Sequence, residues 1–219
     1  MGKTALVFGS TGLIGSYLIQ WLRKSDAYEK IIIFQRKAAA TLDPKTQFVQ
    51  LDFDKMNEYA SVIKGDDVFC CLGTTMRKAR SRQAFRRVDY EYPAQIARIA
   101  KENGVGGYFL VSSVGANIGS SNFYLHTKGE TEQAIQKSAF LRLAIFRPSL
   151  LLGNRNESRF GERFAQGLYP LFHWLLQGNL KKYRAIPASN VAKAMVFVAV
   201  HGYESKIILS DKISEIANI

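Results

Sequence analysis

The stretch Val7-Phe8-Gly9-Ser10-Thr11-Gly12-Leu13-Ile14-Gly15 joins an apolar, strand-like run to an amphipathic, helix-like pattern through three glycines. This order is typical of a dinucleotide-binding turn, in which the first glycine permits the tight turn and the second lets backbone amides approach a pyrophosphate. The third lets the helix pack closely on the strand, and the helix N-terminus attracts the anion. A glycine-rich turn without a ligand is the alternative. We predict that a dinucleotide is bound by the turn residues Gly9, Ser10, Thr11, Gly12, Leu13, Ile14 and Gly15.

Outward from this turn, apolar runs alternate with segments of helical period, as in βαβ units with a parallel sheet. Strands are predicted at 4–9, 30–34, 47–50, 67–72, 107–113 and 140–146, and helices at 13–24, 55–63, 82–103 and 122–137. After Arg147-Pro148 the alternation stops, and a helix near 189–201, a short strand near 206–209 and a tail follow. We predict a single α/β domain over 1–219, a Rossmann-type doubly wound parallel sheet, to which 149–219 contribute a small C-terminal lobe on the substrate side.

Length and composition limit the class of protein. A chain of 219 residues with 47% hydrophobic residues can bury the core of one domain. The two cysteines, Cys70 and Cys71, are adjacent in an apolar run and would point to opposite faces of a strand. They suggest neither a disulfide nor a metal site, and they favour a reducing compartment. No signal peptide opens the chain, and no apolar run reaches the roughly 18 residues of a spanning helix. We predict a soluble, cytoplasmic protein that does not insert into membranes and holds no metal.

The formal charge of +12 attracts phosphates, nucleic acid or anionic lipid without choosing among them. Six cations and no acid are concentrated between Arg77 and Arg87, namely Arg77, Lys78, Arg80, Arg82, Arg86 and Arg87. They form a solvated surface, attract the phosphates of a cofactor or an anionic substrate, or bind nucleic acid. Phe85 is the only aromatic residue between Arg77 and Arg87, so a stacking platform for single strands is not supported. Nucleic-acid binding is predicted to be weak and salt-sensitive.

The type of dinucleotide is indicated by the end of the second strand. NAD sites place a carboxylate there, about 20 residues after the turn, to bind the ribose hydroxyls. This chain has Gln35-Arg36-Lys37, with no acid between Glu29 and Asp43. Arg36, with Lys37 as a second charge, would attract a 2′-phosphate, which predicts NADP(H), although both cations could simply be solvated. Asp52 and Phe53 follow the third strand and are placed to line the adenine, but Asp52 could instead cap the next helix.

A phenol and an ammonium lie one helical turn apart in Tyr124-x-x-x-Lys128. A nearby lysine lowers the pKa of a tyrosine from about 10, so that Tyr124 could pass a proton to a substrate oxygen. Ser113, at the end of the preceding strand, could hold that oxygen. We predict Ser113, Tyr124 and Lys128 as the catalytic set, with a coincidental pattern on a surface helix as the alternative.

With these motifs the chain resembles the atypical short-chain dehydrogenases/reductases, and within them the Tat-interacting-protein group of NADPH-binding oxidoreductase-like proteins. The resemblance covers nearly the whole chain through Gly9–Gly15, Cys70-Cys-Leu-Gly-Thr-Thr75, Tyr124-Leu-His-Thr-Lys128, Phe146-Arg-Pro-Ser-Leu-Leu-Leu-Gly153, and Glu157-Ser-Arg159 with Gly161-Glu162. It implies the same catalytic set, a contact between Lys128 and the nicotinamide ribose, and further cofactor contacts at Leu72, Gly73, Thr74 and Pro148. Many extended relatives have Asn where this chain has Asp89.

Two functions follow as hypotheses. The first is an NADPH-dependent oxidoreductase that reduces a carbonyl-like group of a small molecule by hydride transfer, with Tyr124 as the acid. The second is a non-catalytic sensor or scaffold that binds NADP(H) and reports its redox state to a partner. The sequence indicates neither the substrate nor the oligomeric state.

Overall fold

The computed structural model describes residues 2–37, 39, 43–153 and 177–219. Their strands are β1 (Lys3–Phe8), β2 (Tyr28–Gln35), β3 (Thr46–Gln50), β4 (Asp67–Cys70), β5 (Gly107–Val111), β6 (Arg142–Arg147), β7 (Leu151–Leu152), β8 (Ile186–Pro187) and β9 (Ile207–Leu209). Seven of them form a parallel sheet in the order β3-β2-β1-β4-β5-β6-β9, which confirms the predicted doubly wound fold. Chain order reverses between β1 and β4, so a crevice opens there at the carboxyl edge of the sheet.

Helices cover both faces of the sheet. They are α1 (Leu13–Lys24), α2 (Met76–Ala79), α3 (Arg82–Arg86), α4 (Tyr92–Glu102), α5 (Phe123–Lys137), α6 (Ala188–His201) and α7 (Ser210–Ala217), with 3₁₀ helices at Phe53–Val62 and Gly178–Tyr183. Successive strand residues point to opposite faces. Ala5 and Val7 therefore lie in the core under α1, α6 and α7, whereas Leu6 and Phe8 lie in the core under the first 3₁₀ helix, α4 and α5. Within the described ranges, no helix is long and apolar enough to cross a membrane.

The predicted helix 82–103 is wrong as one regular element. A π-helical stretch, Arg87–Glu91, separates α3 from α4. Pro93 lacks the amide hydrogen that a regular helix would direct at the carbonyl of Asp89, four residues earlier. The hydroxyl of Thr131 on α5 donates to that carbonyl instead, at 2.7 Å. Pro93 therefore accounts for the π-helical turn between α3 and α4.

The C-terminal part joins the main sheet more closely than the prediction of a lobe over 149–219 suggests. Strand β9 extends the sheet beside β6, and α6 packs on α1. The predicted tail after residue 209 is wrong, because Ile213 and Ile216 give α7 a buried face. Strands β7 and β8 pair separately from the large sheet. Residues 154–176, including the motif at 157–159 and 161–162, lie outside the described residues, so the extent of a lobe stays a prediction.

An ion cluster ties together the amino edge of the sheet. The carboxylate of Asp67, fully buried at the start of β4, accepts from the Tyr28 hydroxyl at 2.7 Å and lies 2.8 Å from Arg142 Nη2. Lys3 Nζ lies 3.6 Å from the same carboxylate. Lys3 and Arg142 also donate to the carbonyl of Ala199 on α6, at 3.2 and 3.1 Å. Burial and the adjacent Asp67 charge raise the pKa of Tyr28 well above its ordinary value, so Tyr28 donates as the neutral phenol.

Candidate cofactor and active site

The glycine turn has a geometry that other residues could not adopt. Gly9 has a φ of +87°, and a Cβ there would lie 2.5 Å from the carbonyl carbon of Cys71. A Cβ on Gly15 would lie 2.1 Å from the carbonyl oxygen of Gly9. Gly12 is the N-cap residue of α1, and no side chain in the described residues caps this helix or places an acid in its first turn. The first amides of α1 therefore remain available to an anion, as the fit of a pyrophosphate requires.

A cavity of about 620 Å³ opens beside this turn at the carboxyl ends of β1, β2 and β4. Its lining residues are Gly9, Ser10, Thr11, Phe34, Gln35, Arg36, Lys37, Phe53 and Leu72. The structure thus brings seven predicted cofactor residues together and adds Phe34 and Gln35, which the sequence reasoning missed. Only their position could have indicated a role in the cavity, because Phe34 and Gln35 are the last two residues of β2 and directly precede Arg36. Among the described residues, this lining contains the cations Arg36 and Lys37 and no carboxylate, which fits a group that carries phosphate.

Gln35 organises the end of β2. Its side chain accepts from the Ser10 hydroxyl at 3.4 Å and donates to the Lys37 carbonyl at 2.8 Å. The side chain of Gln50 donates to the carbonyl of Arg36 at 3.3 Å. These bonds fix the backbone while the side chains of Arg36 and Lys37 stay exposed.

The two residues predicted to line the adenine lie differently. Asp52 is exposed and accepts from the amide of Asp54 at 3.0 Å, so it caps the 3₁₀ helix, as the alternative interpretation had it. Phe53 is buried, lines the cavity, and contacts Tyr92 with a ring-centroid distance of 5.2 Å. Phe53 therefore keeps a position suited to a flat base, whereas Asp52 is outside the lining.

Tyr124 stands in the first turn of α5. The side chain of Asn122 caps this helix by accepting from the amides of Tyr124 and Leu125, at 3.0 and 3.2 Å. The half-buried Tyr124 ring packs on Phe85 with a centroid distance of 5.6 Å. On the far side, a Cβ on Gly129 would lie 2.5 Å from the backbone of Asn117, so glycine allows α5 to approach the loop after β5. The phenol is thereby held beside that loop.

Lys128 is buried and forms an ion pair that the sequence reasoning missed. Its Nζ lies 2.8 Å from Oδ1 of Asp89, which is also buried. The other oxygen of Asp89 accepts from the amide of Thr74 at 2.8 Å. Burial alone would lower the pKa of Lys128, but the charge of Asp89 and the neighbouring Tyr124 together raise it above its ordinary value. Lys128 therefore carries its positive charge. The sequence signal that could have identified its partner was Asp89 itself, an acid at a position where many extended relatives have Asn.

The loop after β4 connects this ion pair to the cofactor cavity. Leu72 lines the cavity. A Cβ on Gly73 would lie 3.4 Å from Oδ1 of Asp89 and 3.6 Å from Nζ of Lys128. Thr74 bonds to Asp89 through its amide, so three consecutive residues lead from the cavity to the ammonium group.

The two serines after β5 have different surroundings. The hydroxyl of Ser112 is buried and donates to Glu132, which also accepts from Arg147 Nε at 2.9 Å. Ser113 is half-buried and donates weakly to the carbonyl of Val114, at 3.3 Å. Ser113 therefore has a hydroxyl that can turn to a ligand, while Ser112 serves the core. The predicted contact residue Pro148 lies alongside, with its carbonyl accepting from the Val114 amide at 3.0 Å.

Comparison with known proteins settles the family. The sequence model described as NAD(P)H-binding matches residues 9–201. This chain belongs to the NAD(P)H-binding family. Protein HTATIP2 of Rattus norvegicus is 36% identical over 198 residues, which cover 89% of this NAD(P)H-binding chain and 80% of that protein. The protein named "FMP52, mitochondrial" of Candida albicans is 35% identical over 218 residues, covering 96% and 93%. These relatives confirm the resemblance to the Tat-interacting-protein group.

Solved structures confirm the fold of this NAD(P)H-binding chain. MoeE5 in complex with UDP-glucose and NAD superposes with a TM-score of 0.70 at 15% identity, covering 95% of this chain and 75% of that one. The Bordetella bronchiseptica enzyme WbmH in complex with NAD⁺ gives a TM-score of 0.69 at 16% identity, with coverages of 95% and 76%. At such low identity the likeness concerns the architecture alone.

Proposed function

We propose that this protein is an NADPH-dependent oxidoreductase that reduces a carbonyl group of a small molecule to an alcohol. One observation carries the proposal. The charged, buried Lys128 lies one helical turn from Tyr124 and next to the Gly73–Thr74 loop that leads from the cofactor cavity. A proton donor, a fixed positive charge and a dinucleotide cavity thus meet at one edge of the sheet.

The cofactor would be held by groups along the crevice. The amides at the start of α1 would bind the pyrophosphate, and Phe53 would contact the adenine. Arg36 and Lys37 would bind the 2′-phosphate, which favours NADPH over NADH. When bound, the cofactor supplies a hydride to the carbonyl carbon and becomes NADP⁺.

Ser113, Tyr124 and Lys128 would orient and protonate the carbonyl oxygen of the substrate. The Ser113 hydroxyl donates a hydrogen bond that orients the carbonyl oxygen, and the Tyr124 phenol transfers its proton to that oxygen as the carbon is reduced. Lys128 stabilises the phenolate that remains and, as the resemblance to the short-chain dehydrogenases/reductases implies, holds the nicotinamide ribose. A proton from solvent then restores Tyr124, so each turnover consumes one NADPH, one proton and one carbonyl.

The direct test is NADPH consumption, followed by absorbance, with a panel of aldehydes, ketones and quinones. We expect turnover of at least one class. Gly15→Ala is the matched negative control, because its Cβ would collide with Gly9 and block the turn. Consumption that persists in Gly15→Ala would come from a contaminant, and no consumption with any substrate would contradict the proposed reaction.

A second candidate function is a redox sensor, and the Asp89 carboxylate favours it. Asp89 bridges the Thr74 amide beside the cavity and the Lys128 ammonium on α5, so it links the cofactor loop to a helix. If this link reports the redox state of the cofactor, the backbone amides of α5 should exchange hydrogen at different rates with NADPH bound and with NADP⁺ bound. Hydrogen exchange of α5 with each form would measure this difference, and identical protection would contradict the sensor.

We also propose a cytoplasmic location. Several relatives carry the word mitochondrial in their names, which describes those proteins. Fractionation of the source cells tests the location, and recovery outside the cytoplasmic fraction would contradict it.

A further inference from the structure

Residues 76–87, here called the basic segment, follow the cofactor loop and form α2, α3 and the first residue of the π-helical stretch. Both helical turns are capped by hydroxyls. Thr75 accepts from the Lys78 amide at 3.2 Å, and Ser81 accepts from the Ala84 amide at 3.1 Å. Capping fixes the backbone, so the cations of the segment sit on defined turns.

The basic segment lies on the proposed substrate side of the crevice. It begins next to Thr74, whose amide binds the partner of Lys128. Near its end, Phe85 is buried against the rings of Phe123 and Tyr124 at centroid distances of 5.7 and 5.6 Å. In the sheet, β4 and β5 stand on the opposite side of β1 from β2 and Arg36. The segment therefore lies on the Tyr124 side of β1 rather than on the Arg36 side, and its Phe85 contacts Tyr124.

Three nearby carboxylates are already engaged by cations. Asp89 pairs with Lys128, Glu130 with Arg86, and Asp54 with Arg87 at 3.5 Å. Within the described residues, three exposed guanidinium groups of the segment have no carboxylate partner, and these are Arg77, Arg80 and Arg82.

Two of these arginines have notable positions. Arg82 lies over the ring of Phe123, 5.2 Å from its centroid, directly before Tyr124. Arg80 ends α2 with a φ of 63°, in the left-handed region that favours glycine. An arginine at a position suited to glycine sacrifices some backbone stability, which is expected where its charge is needed.

We infer that the substrate of this site carries a carboxylate or phosphate group that binds to Arg77, Arg80 and Arg82 while its carbonyl lies against Tyr124. The inference rests on the proposed function. Guanidinium groups bind carboxylate and phosphate oxygens in paired hydrogen bonds, and an uncompensated cationic cluster raises the local concentration of anions. A stacked nucleic-acid strand is disfavoured, because the one aromatic ring of the segment, Phe85, is buried.

The test compares matched aromatic aldehydes that differ in the para substituent: a neutral methyl ester, a carboxylate and a phosphate. NADPH consumption at low ionic strength gives kcat/KM for each. We expect the anionic aldehydes to exceed the ester by about tenfold or more, and added salt to reduce the difference. The carboxylate and phosphate arms show which anion the site prefers.

Arg80→Gly and Arg82→Gln should each bring the ratio of anionic to neutral kcat/KM towards one. Arg80→Gly is expected to fold at least as well as the native protein, because glycine suits the left-handed backbone. The matched control is Lys30→Gln with Lys64→Gln, two exposed cations at the amino edge of the sheet, and it should leave the ratio unchanged.

A native protein that reduces the ester and the anionic aldehydes equally well would overturn the inference and leave the proposed function standing, as would a preference retained in both arginine variants. If no aldehyde is reduced, the proposed function fails, and titration of the NADPH-saturated protein with benzoate and phenyl phosphate decides the inference. Binding that Arg80→Gly abolishes supports it, and absent binding overturns it. Arginine-dependent binding of single-stranded RNA or phosphatidylserine vesicles, without anion preference in turnover, would assign the segment to a polyanion instead.

Discussion

Arg36 carries the expected choice of cofactor at the scale of single residues. Its exposed guanidinium lines a cavity to which the described part of the chain contributes no carboxylate. We predict that NADPH binds more tightly than NADH, and that Arg36→Asp abolishes or reverses the preference by removing a contact worth roughly 1.5 to 3 kcal/mol. Calorimetric titration of both cofactors measures it. Lys64→Asp is the control for the change in charge, and equal affinities in the native protein would refute the prediction.

Tyr124 and Lys128 separate the two candidate functions. Tyr124→Phe keeps the ring against Phe85 but removes the proton donor, so turnover should fall by roughly 10²–10⁴-fold with NADPH affinity retained. Lys128→Ala should weaken both turnover and NADPH binding. A sensor would lose cofactor binding in Lys128→Ala and lose nothing in Tyr124→Phe. Undiminished oxidation by Tyr124→Phe would remove the phenol from the mechanism.

The ion pair adds a control for this experiment. Lys128→Ala leaves the carboxylate of Asp89 buried without its cation, which destabilises the fold. The double variant Lys128→Ala with Asp89→Asn removes both charges. If Lys128 acts on the cofactor, the double variant should recover stability but not NADPH affinity, and thermal unfolding beside calorimetry distinguishes the two.

The π-helical stretch carries a prediction at the scale of the element. The Asp89 carbonyl relies on the Thr131 hydroxyl because Pro93 offers it no amide. Thr131→Val should therefore destabilise the protein by about 1–3 kcal/mol, the cost of leaving a buried carbonyl unsatisfied. Pro93→Ala restores an amide at the regular helical position, so Thr131→Val should cost less in that background. Urea unfolding of the four proteins measures the coupling, and additive effects would contradict it.

This stretch also shows how far the sequence predicts the site. The glycine turn and the Tyr124–Lys128 spacing each involve residues that are close together in the sequence, so both could be predicted from local sequence patterns. The Lys128–Asp89 contact joins residues of two helices, and its register depends on the extra residue that the π-helical turn accommodates. Pro93 in the sequence is a signal for an irregular helix. The donor to the unpaired Asp89 carbonyl could not be predicted, because it depends on how α5 packs against α4.

The Asp67 cluster predicts the stability of the molecule as a whole. Asp67→Asn would leave Arg142 and Lys3 without their counter-charge, and it would remove a link among β1, β2, β4 and β6. Because the side chains of Lys3 and Arg142 remain 31% and 33% exposed, solvent screens part of the loss. We expect a destabilisation of about 2–3 kcal/mol, at the low end for a broken buried pair. Urea unfolding tests this, with Asp66→Asn at an exposed neighbour as the control, and equal stability of the two variants would contradict it.

The contact between α1 and α6 has a consequence for synthesis. Leu18 and Leu22 of α1 are buried with Val191 and Met195 of α6, so the face of the first helix is covered by a segment near the other end of the sequence. At about 5–20 residues per second, α6 leaves the ribosome on the order of ten to thirty seconds after α1. During that interval the side of α1 that α6 later covers stays open to solvent, and the nascent chain offers an apolar surface to chaperones until α6 emerges.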